Sequence, residues 1–199
     1  IIDAHALIHR AYHALPVLTS PRGEQVNAVY GFTSILIKVL KELRPEYAVA
    51  AFDMAGPTFR HKEFEAYKAH RPEVDADLIK QFPLTREIAT AFGLLVLEQQ
   101  GYEADDIIAT VVERLKNKKE LEKIIVTGDL DSLQLVDGQN IVVYTLKKGV
   151  NDTVIYDEAA VKERFEGLGP EQMIDFKGLK GDPSDNIPGV PGIGEKTAI

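Results

Sequence analysis

The chain of 199 residues is 45% hydrophobic and 27% charged, which excludes a disordered protein and suits one large α/β domain or two small ones. It contains no cysteine, which excludes disulfide bonds and thiolate metal sites and fits a reducing compartment. The net charge of −8 would by itself argue against a nucleic-acid partner, because phosphates bind to basic surfaces. Apolar runs stay far short of the ~20 residues of a membrane span, so we expect no membrane partner.

Short apolar runs alternate with amphipathic helical patterns along most of the chain. The runs are typical of strands buried on both faces of a parallel sheet. The strand candidates are 1–2, 47–52, 94–97, 123–127, 141–144 and, near an edge, 154–156. Apolar residues at three- and four-residue spacing predict helices over 29–43, 77–92 and 105–115. We therefore predict an α/β fold, PIN/Rossmann-like, with a mostly parallel twisted sheet and helices on both faces.

The composition changes after about residue 158. Helical patterns over 158–165 and 170–179 lead to a segment over 181–194 that is dense in Gly and Pro. We predict an α/β core over residues 1–157 and a helical subdomain with a rigid loop over residues 158–199. Since the chain begins within an apolar run and stops within a helical pattern, we expect a longer protein.

Acidic residues follow four of the predicted strands. The carboxyl ends of parallel strands share one edge, where open α/β sheets bind their ligands. Clustered carboxylates need counter-ions, and oxygen ligands favour Mg²⁺ or Mn²⁺ over Zn²⁺. We therefore predict a divalent-metal site from Asp3, Asp53, Glu103, Asp105, Asp106, Asp129 and Asp131, with Asp182 and Asp185 as two further acids in the C-terminal loop.

Each acid taken alone has an ordinary structural explanation. The acids from Glu103 to Asp106 open a helix, where negative charge offsets the macrodipole whatever the function. An Asp after a strand is a common cap or turn residue, and Asp129 with Asp131 also matches the nucleophile motif of a phosphatase. The recurrence at four strand ends favours the metal site.

A segment over residues 57–72 is basic and aromatic. Phe64, Tyr67, Lys68 and Arg71 recur at i, i+3, i+4 and i+7, which predicts one face of a helix. Aromatic rings beside cations suit single-stranded nucleic acid, with bases stacked and phosphates neutralised. A solvated amphipathic helix would look similar, but the segment begins four residues after Asp53 and should overhang the predicted metal site.

The Gly-rich run over 189–197 nearly matches an ATP-binding loop. Glu195 separates Gly194 from Lys196, so the Lys register is wrong, and no strand precedes the run as that loop requires. Backbone N–H groups of Gly189, Gly192 and Gly194 would instead form an anion site that grips a nucleic-acid backbone without recognising its sequence. A plain tight turn between helices is the alternative.

Together these motifs resemble the 5′-nuclease domain of the bacterial DNA polymerase I family and the related flap endonucleases. The resemblance spans essentially the whole chain. It is carried by Asn27-Ala-Val-Tyr-Gly-Phe32, Phe52-Asp53, Thr58-Phe-Arg-His61, Tyr67-Lys68, Arg71, Gly101-Tyr-Glu-Ala-Asp-Asp106, Thr127-Gly-Asp-x-Asp131, Gln134-Leu135 and Gly181-Asp-x-Ser-Asp-Asn-Ile-Pro-Gly-Val-x-Gly-Ile-Gly-Glu-Lys-Thr-Ala198.

The resemblance implies that all nine acids hold two Mg²⁺ or Mn²⁺ ions. It makes residues 57–85 a helical arch through which a 5′ single strand passes, with Lys68, Arg71 and Arg60 near the scissile phosphate. The Gly-rich turn becomes a helix–three-turn–helix element that grips duplex DNA through its glycines and Lys196, often with a bound K⁺. Arg10 matches a further basic position of the family.

The function implied is a structure-selective 5′-3′ exonuclease and 5′-flap endonuclease. It would act on DNA flaps, 5′ ends and RNA primers on DNA, and leave 5′-phosphate products during DNA replication and repair. We further expect a monomer in the bacterial cytoplasm, associated with the nucleoid and linked to a polymerase domain. A catalytically inactive nucleic-acid-binding module, a PIN-type ribonuclease and an ATP-binding protein remain as alternatives.

Two positions depart from the family pattern. Ala4 stands where a Gly usually follows the first Asp, and Leu130 stands where a Lys is common, but neither change removes a metal ligand. Without the nine proposed ligands, 22 acids face 23 basic residues, a balance of +1. The acidity is therefore concentrated at the predicted metal site, which reconciles the net charge with a DNA partner.

Overall fold

The computed structural model describes residues 1–146 and 152–199, and its main element is a six-stranded sheet. The strands are β1 (Ile2–Asp3), β2 (Val49–Ala51), β3 (Leu95–Leu97), β4 (Lys123–Val126), β5 (Ile141–Leu146) and β6 (Thr153–Tyr156). Their order is β3-β2-β1-β4-β5-β6, with parallel pairing except for the antiparallel β5–β6 pair. The predicted mostly parallel sheet is confirmed, with β6 at its edge.

Nine helices accompany the described strands. They are α1 (Ala4–Ala14), α2 (Asn27–Leu43), α3 (Phe59–Glu63), α4 (Ala76–Ile79), α5 (Phe82–Ala91), α6 (Ala104–Leu115), α7 (Glu158–Arg164), α8 (Met173–Lys180) and α9 (Glu195–Ala198). A short 3-10 helix, Leu130–Leu135, follows β4. Among the described helices, none has the length and apolar character that a membrane crossing requires.

Apolar side chains cover both faces of the sheet. Along β2, Ala50 belongs to a core cluster with α1, α2 and α5, whereas its neighbour Ala51 belongs to a second cluster with α6 and α7. Along β4, Val126 and Ile125 divide between the same two clusters. This alternation is what a strand with a helical layer on each side requires, and it confirms the prediction of helices on both faces.

The helix predicted over 77–92 is divided into α4 and α5. The side chain of Gln81 lies between them, and its Oε1 accepts hydrogen bonds from the backbone N–H groups of Ala28 and Val29 at 2.9 and 3.2 Å. Pro83 then lies in the first turn of α5, where the missing N–H costs nothing. The break therefore lets a buried Gln satisfy the otherwise uncapped start of α2.

The prediction of a helical face through Phe64 and Arg71 is wrong. Helix α3 ends at Glu63, and the residues up to Arg71 form successive turns. Lys68 has a φ of 55°, outside the right-handed helical region, and its N–H donates to the carbonyl of Asp185 at 3.0 Å. A tertiary contact with the C-terminal part therefore overrides the local periodicity.

The C-terminal part is helical with a small hairpin. Helices α7 and α8 lead to the strands β7 (Gly181–Asp182) and β8 (Ile187–Pro188), which pair antiparallel before α9 begins. A Cβ at Gly189 would lie 2.4 Å from the carbonyl carbon of Lys180, so this position admits no side chain. The Gly-rich run thus packs closely against the end of α8.

We expect Gly31→Ala and Gly178→Ala to change the free energy of unfolding in opposite directions. A Cβ at Gly31 would meet the Cβ of Ala11 at 2.6 Å where α1 crosses α2, whereas a Cβ at Gly178 meets nothing within 4 Å. Overpacking should cost about 1–3 kcal/mol at Gly31. The better helix propensity of Ala should add about 0.5–1 kcal/mol at Gly178. Urea denaturation measures both, and equal effects would contradict the close contact.

Candidate functional site

The sheet order places a topological switch point between β1 and β4, where acids from separate strands meet. Asp3 ends β1, Asp53 follows β2 and Asp129 follows β4. The negative charges of all three act on Asp105, which lies in the first turn of α6. The convergence that was expected from the strand ends is therefore present.

Hydrogen bonds fix Asp3 at the centre of this edge. One carboxylate oxygen caps α1 by accepting from the N–H of Ala6 at 3.0 Å, and the other accepts from the hydroxyl of Thr127 at 2.6 Å. The same hydroxyl accepts from the N–H of Asp129 at 2.9 Å. Thr127, which is fully buried, therefore ties the end of β1 to the turn after β4.

The start of α6 gathers the second group of acids. Glu103 is the N-cap residue, and its N–H donates to Asp106 at 2.9 Å. Asp53 accepts from the N–H of Ala104 at 2.6 Å. These acids do cap a helix, as the alternative interpretation held, and the same geometry aims them at the switch point.

Six of the nine predicted ligands line one cavity of about 680 Å³ between the sheet edge and the C-terminal part. These are Glu103, Asp105, Asp106, Asp131, Asp182 and Asp185. Asp3, Asp53 and Asp129 do not line it, and Asp3 is only 4% exposed. The structure thus brings the acids into one region, with six of them lining the cavity, Asp3 buried at the end of β1, and Asp53 and Asp129 more exposed beside it.

Three basic residues of the 57–72 segment pair with cavity-lining acids. Arg60 makes two hydrogen bonds to Asp106, at 2.7 and 2.8 Å. Lys68 Nζ lies 2.9 Å from Glu103, and Arg71 contacts Asp185. Arg60, Lys68 and Arg71, predicted to act near a phosphate, therefore face the carboxylates directly.

The segment is also fastened to the C-terminal hairpin. Asn186 donates its amide to the carbonyl of Ala66 at 2.8 Å, and Arg71 donates through Nε to the carbonyl of Ser184 at 3.1 Å. Asn186 adopts a φ of 60°, a conformation that Asn tolerates better than most residues. The position of Lys68 over the acids thus depends on residues more than a hundred positions away.

Tyr67 does not present a ring for stacking. It is only 4% exposed, and its hydroxyl contacts Glu103 and Asp185 at 3.0 and 3.1 Å. Burial and these two carboxylates raise the pKa of the phenol, so it stays protonated as a donor. The prediction that Tyr67 stacks on nucleotide bases is wrong, because its ring is buried. Phe64, the other aromatic residue of that prediction, is 40% exposed.

The other predicted DNA contacts lie on α1 and around the Gly-rich run. Arg10 is half-buried on α1. Gly192, Gly194 and Lys196 are exposed near the start of α9, and Gly189 packs against α8. Their assignment to a nucleic-acid backbone stays a prediction.

Sequence reasoning missed two residues that hold the acids in place. Thr127 belongs to the Thr127-Gly-Asp-x-Asp131 motif, and a Thr directly before an acidic turn is a usable signal of a hydroxyl that orients the acids. Lys177, on α8, lies 2.5 Å from Asp131 and 2.8 Å from Asp182. No local pattern reveals Lys177, because its partners come together only in the folded chain.

The donor set fits a divalent cation in its chemistry. Burial, followed by the charges of Asp3, Asp129 and Asp53, raises the pKa of Asp105 to about 7. Burial likewise raises the pKa of Asp3 to about 6, against the hydrogen bond from Thr127. Among the described residues, no three His, Asp or Glu side chains are grouped closely enough to hold a metal ion, and basic side chains pair with five of the nine acids.

We expect Asp105→Asn to stabilise the metal-free chain at pH 8 but not at pH 4. Folding raises the pKa of Asp105 from 3.8 to about 7. The protonated carboxyl therefore favours the folded state at low pH, and this contribution to stability is lost as the pH rises from about 4 to above 7. An Asn carries no charge at either pH. Thermal unfolding in chelator tests this, with Glu163→Gln on the exposed side of α7 as the control, and a pH-independent difference would contradict the raised pKa.

Comparison with known proteins identifies two adjacent family models along the chain. Residues 1–166 match the 5′-3′ exonuclease, N-terminal resolvase-like domain, and residues 168–199 match the 5′-3′ exonuclease, C-terminal SAM fold. DNA polymerase I of Bacillus caldotenax is 46% identical over 199 residues, and that of Mycobacterium tuberculosis is 42% identical over 200. The whole chain aligns in both cases, but it spans only 22% of each polymerase.

Solved structures share the fold at lower identity. The D15 protein of phage T5, crystallised with metal ions, aligns with a TM-score of 0.76 at 19% identity, over 99% of this chain and 71% of that one. The catalytic core of Rad2 in complex with DNA substrate aligns with a TM-score of 0.61 at 22% identity, over 99% and 57% of the two chains. The family models cover nearly every residue, and the chain therefore belongs to the 5′-3′ exonuclease family.

Proposed function

We propose that this chain is a structure-selective 5′ nuclease that hydrolyses DNA with the help of divalent metal ions. The observation that carries the proposal is the convergence of Asp3, Asp53, Asp105 and Asp129 at the switch point of the sheet. Their mutual repulsion is what a divalent cation would relieve. Membership of the 5′-3′ exonuclease family supports the same reaction.

The nine acids would hold two metal ions between the sheet edge and the C-terminal part. Such ions, when bound, lower the pKa of an attacking water and stabilise the leaving oxygen of a phosphodiester. The contribution of the chain is to supply oxygen ligands from β1, β2, β4 and α6 in fixed positions. Thr127 and the N–H groups of Ala6 and Ala104 orient those carboxylates.

Arg60, Lys68 and Arg71 would bind the phosphate that is cut. Each now pairs with a carboxylate that we propose as a metal ligand. When these carboxylates hold metal ions, the side chains of the three basic residues would donate to phosphoryl oxygens instead, where charge develops in the transition state. The charged groups of Arg60 and Lys68, which would change partners in this way, already lie within 3 Å of the carboxylates.

Selectivity would come from the shape of the DNA rather than from its sequence. Residues 57–85 would form the arch through which a 5′ strand passes, and the Gly-rich turn would bind the duplex backbone. Similar proteins support a DNA substrate, since a T5 D15 flap endonuclease was solved with DNA and metal ions and Rad2 with DNA substrate. GEN1 was solved with Holliday junction DNA.

Finer features of the function belong to this proposal as well. They are Mg²⁺ as the natural ion, K⁺ in the Gly-rich turn, 5′-phosphate products, a monomeric state and a linked polymerase domain, as in the related DNA polymerases I. The setting would be primer removal and repair at the nucleoid, in the bacterial cytoplasm.

Cleavage of matched substrates tests the proposal. We expect the chain to cut a labelled 5′-flap duplex in Mg²⁺ and to leave a 3′-flap duplex of the same sequence intact. Preferred cutting of the corresponding RNA would instead indicate a PIN-type ribonuclease. Tight DNA binding without cleavage would indicate an inactive binding module.

A further inference from the structure

Lys177 occupies an unusual place in the site. It comes from α8 in the C-terminal part, whereas Arg60, Lys68 and Arg71 come from the 57–72 segment. Its ammonium group lies 2.5 Å from Asp131, after β4, and 2.8 Å from Asp182, on β7. One cation thus bridges two carboxylates that belong to different parts of the fold.

Hydrogen bonds from Ser184 orient the carboxylate of Asp182. Its Oδ1 accepts from both the N–H and the hydroxyl of Ser184, at 2.9 and 2.6 Å, which leaves Oδ2 facing Lys177. Ser184 therefore orients the carboxylate of Asp182 toward the ammonium group of Lys177.

Asp131 would be poorly tolerated without a positive partner. It shares the turn after β4 with Asp129, and the negative charge of Asp129 acts on it. Lys177 is half-buried, so solvent screens the ammonium group only in part. The ion pairs therefore stabilise both acids when no metal is bound.

We propose that Lys177 is a built-in counter-ion of Asp131 and Asp182, and that a divalent ion binds these two carboxylates only by displacing its ammonium group. The inference rests on the proposed function, in which both acids are metal ligands. It makes Lys177 a positioning residue that keeps the two ligands together in the metal-free chain and weakens metal binding by competition.

Mn²⁺ binding without DNA tests the inference by isothermal titration calorimetry. We expect Lys177→Gln to lower the apparent Kd for Mn²⁺ about fivefold, the effect of removing one competing charge at a partly solvated site. Lys177→Arg keeps the charge and should restore the parent value. Lys180→Gln, on the same helix, removes a lysine that pairs with Glu195 at 3.3 Å and should leave the Kd unchanged.

Thermal unfolding supplies a second measurement. In chelator, Lys177→Gln should melt below the parent chain because Asp131 and Asp182 lose their partner, and saturating Mn²⁺ should close the gap. A Lys177→Gln chain that folds only with Mn²⁺ would support the inference for the same reason.

The failures of the two proposals are distinguishable. A parent chain that binds Mn²⁺ and cuts flaps, with an equal or higher Kd in Lys177→Gln, would overturn only the counter-ion role. Tighter Mn²⁺ binding by Lys177→Gln in a chain that cuts no DNA would support the counter-ion and refute the nuclease. A parent chain that binds no Mn²⁺ would overturn both.

Discussion

Asp129→Ala should reduce flap cleavage at least about a thousandfold, a loss of roughly 4 kcal/mol of transition-state stabilisation. Asp129 follows β4 at the switch point, and its charge acts on both Asp3 and Asp105. Loss of this carboxylate should empty or displace a metal ion rather than disturb the fold. Single-turnover cleavage of a 5′-flap duplex in Mg²⁺ measures the effect.

A matched acid separates metal binding from general charge. Asp175→Ala removes an exposed acid from the first turn of α8 and should leave the cleavage rate unchanged. DNA binding by Asp129→Ala in Ca²⁺ should stay within about threefold of the parent chain, a small change on the free-energy scale. Cleavage by Asp129→Ala at the parent rate would remove Asp129 from the site.

Lys68→Met should slow cleavage about a hundredfold to a thousandfold, the usual loss for one preorganised donor to a developing oxyanion. Methionine keeps the apolar stem and removes only the ammonium group, which lies 2.9 Å from Glu103 and over the ring of Tyr67. Because the charge acts mainly in the transition state, kcat should fall much more than KM rises.

Lys62→Met provides the control for Lys68. Lys62 is an exposed lysine on α3 within the same basic segment, so its loss changes the net charge equally. Equal rates for the two variants would mean that Lys68 contributes only to the overall field of the segment. That result would contradict its direct contact with the scissile phosphate.

Strand positions were largely predictable, since strands buried on both faces are apolar throughout. The runs ending at Thr127 and at Tyr144 mark the largely buried strands β4 and β5. The apolar run at 94–97 contains β3, an edge strand in which Leu95 is 61% exposed. The helix predicted from Phe64 to Arg71 failed because Asp185 and Asn186, distant in sequence, bind the backbone of this segment. Periodicity reports a local preference, and here tertiary hydrogen bonds hold the segment in turns instead.

The sequence predicts which acids lie at the sheet edge, but it does not predict which basic side chains pair with them. Alternating strands and helices place Asp3, Asp53 and Asp129 at one sheet edge by topology alone. The sequence does not reveal that Lys177 bridges Asp131 and Asp182, because that contact depends on how α8 packs against the turn after β4. It also does not reveal that Tyr67 is buried as a hydrogen-bond donor.

The metal dependence of flap cleavage tests the central claim most directly. After chelation, the chain should release no product from a labelled 5′-flap duplex, and added Mg²⁺ should restore cleavage with a rate that rises with the second power of its concentration below saturation. The product should carry a 5′ phosphate. Cleavage that persists in chelator would contradict a site built from these carboxylates and their metal ions.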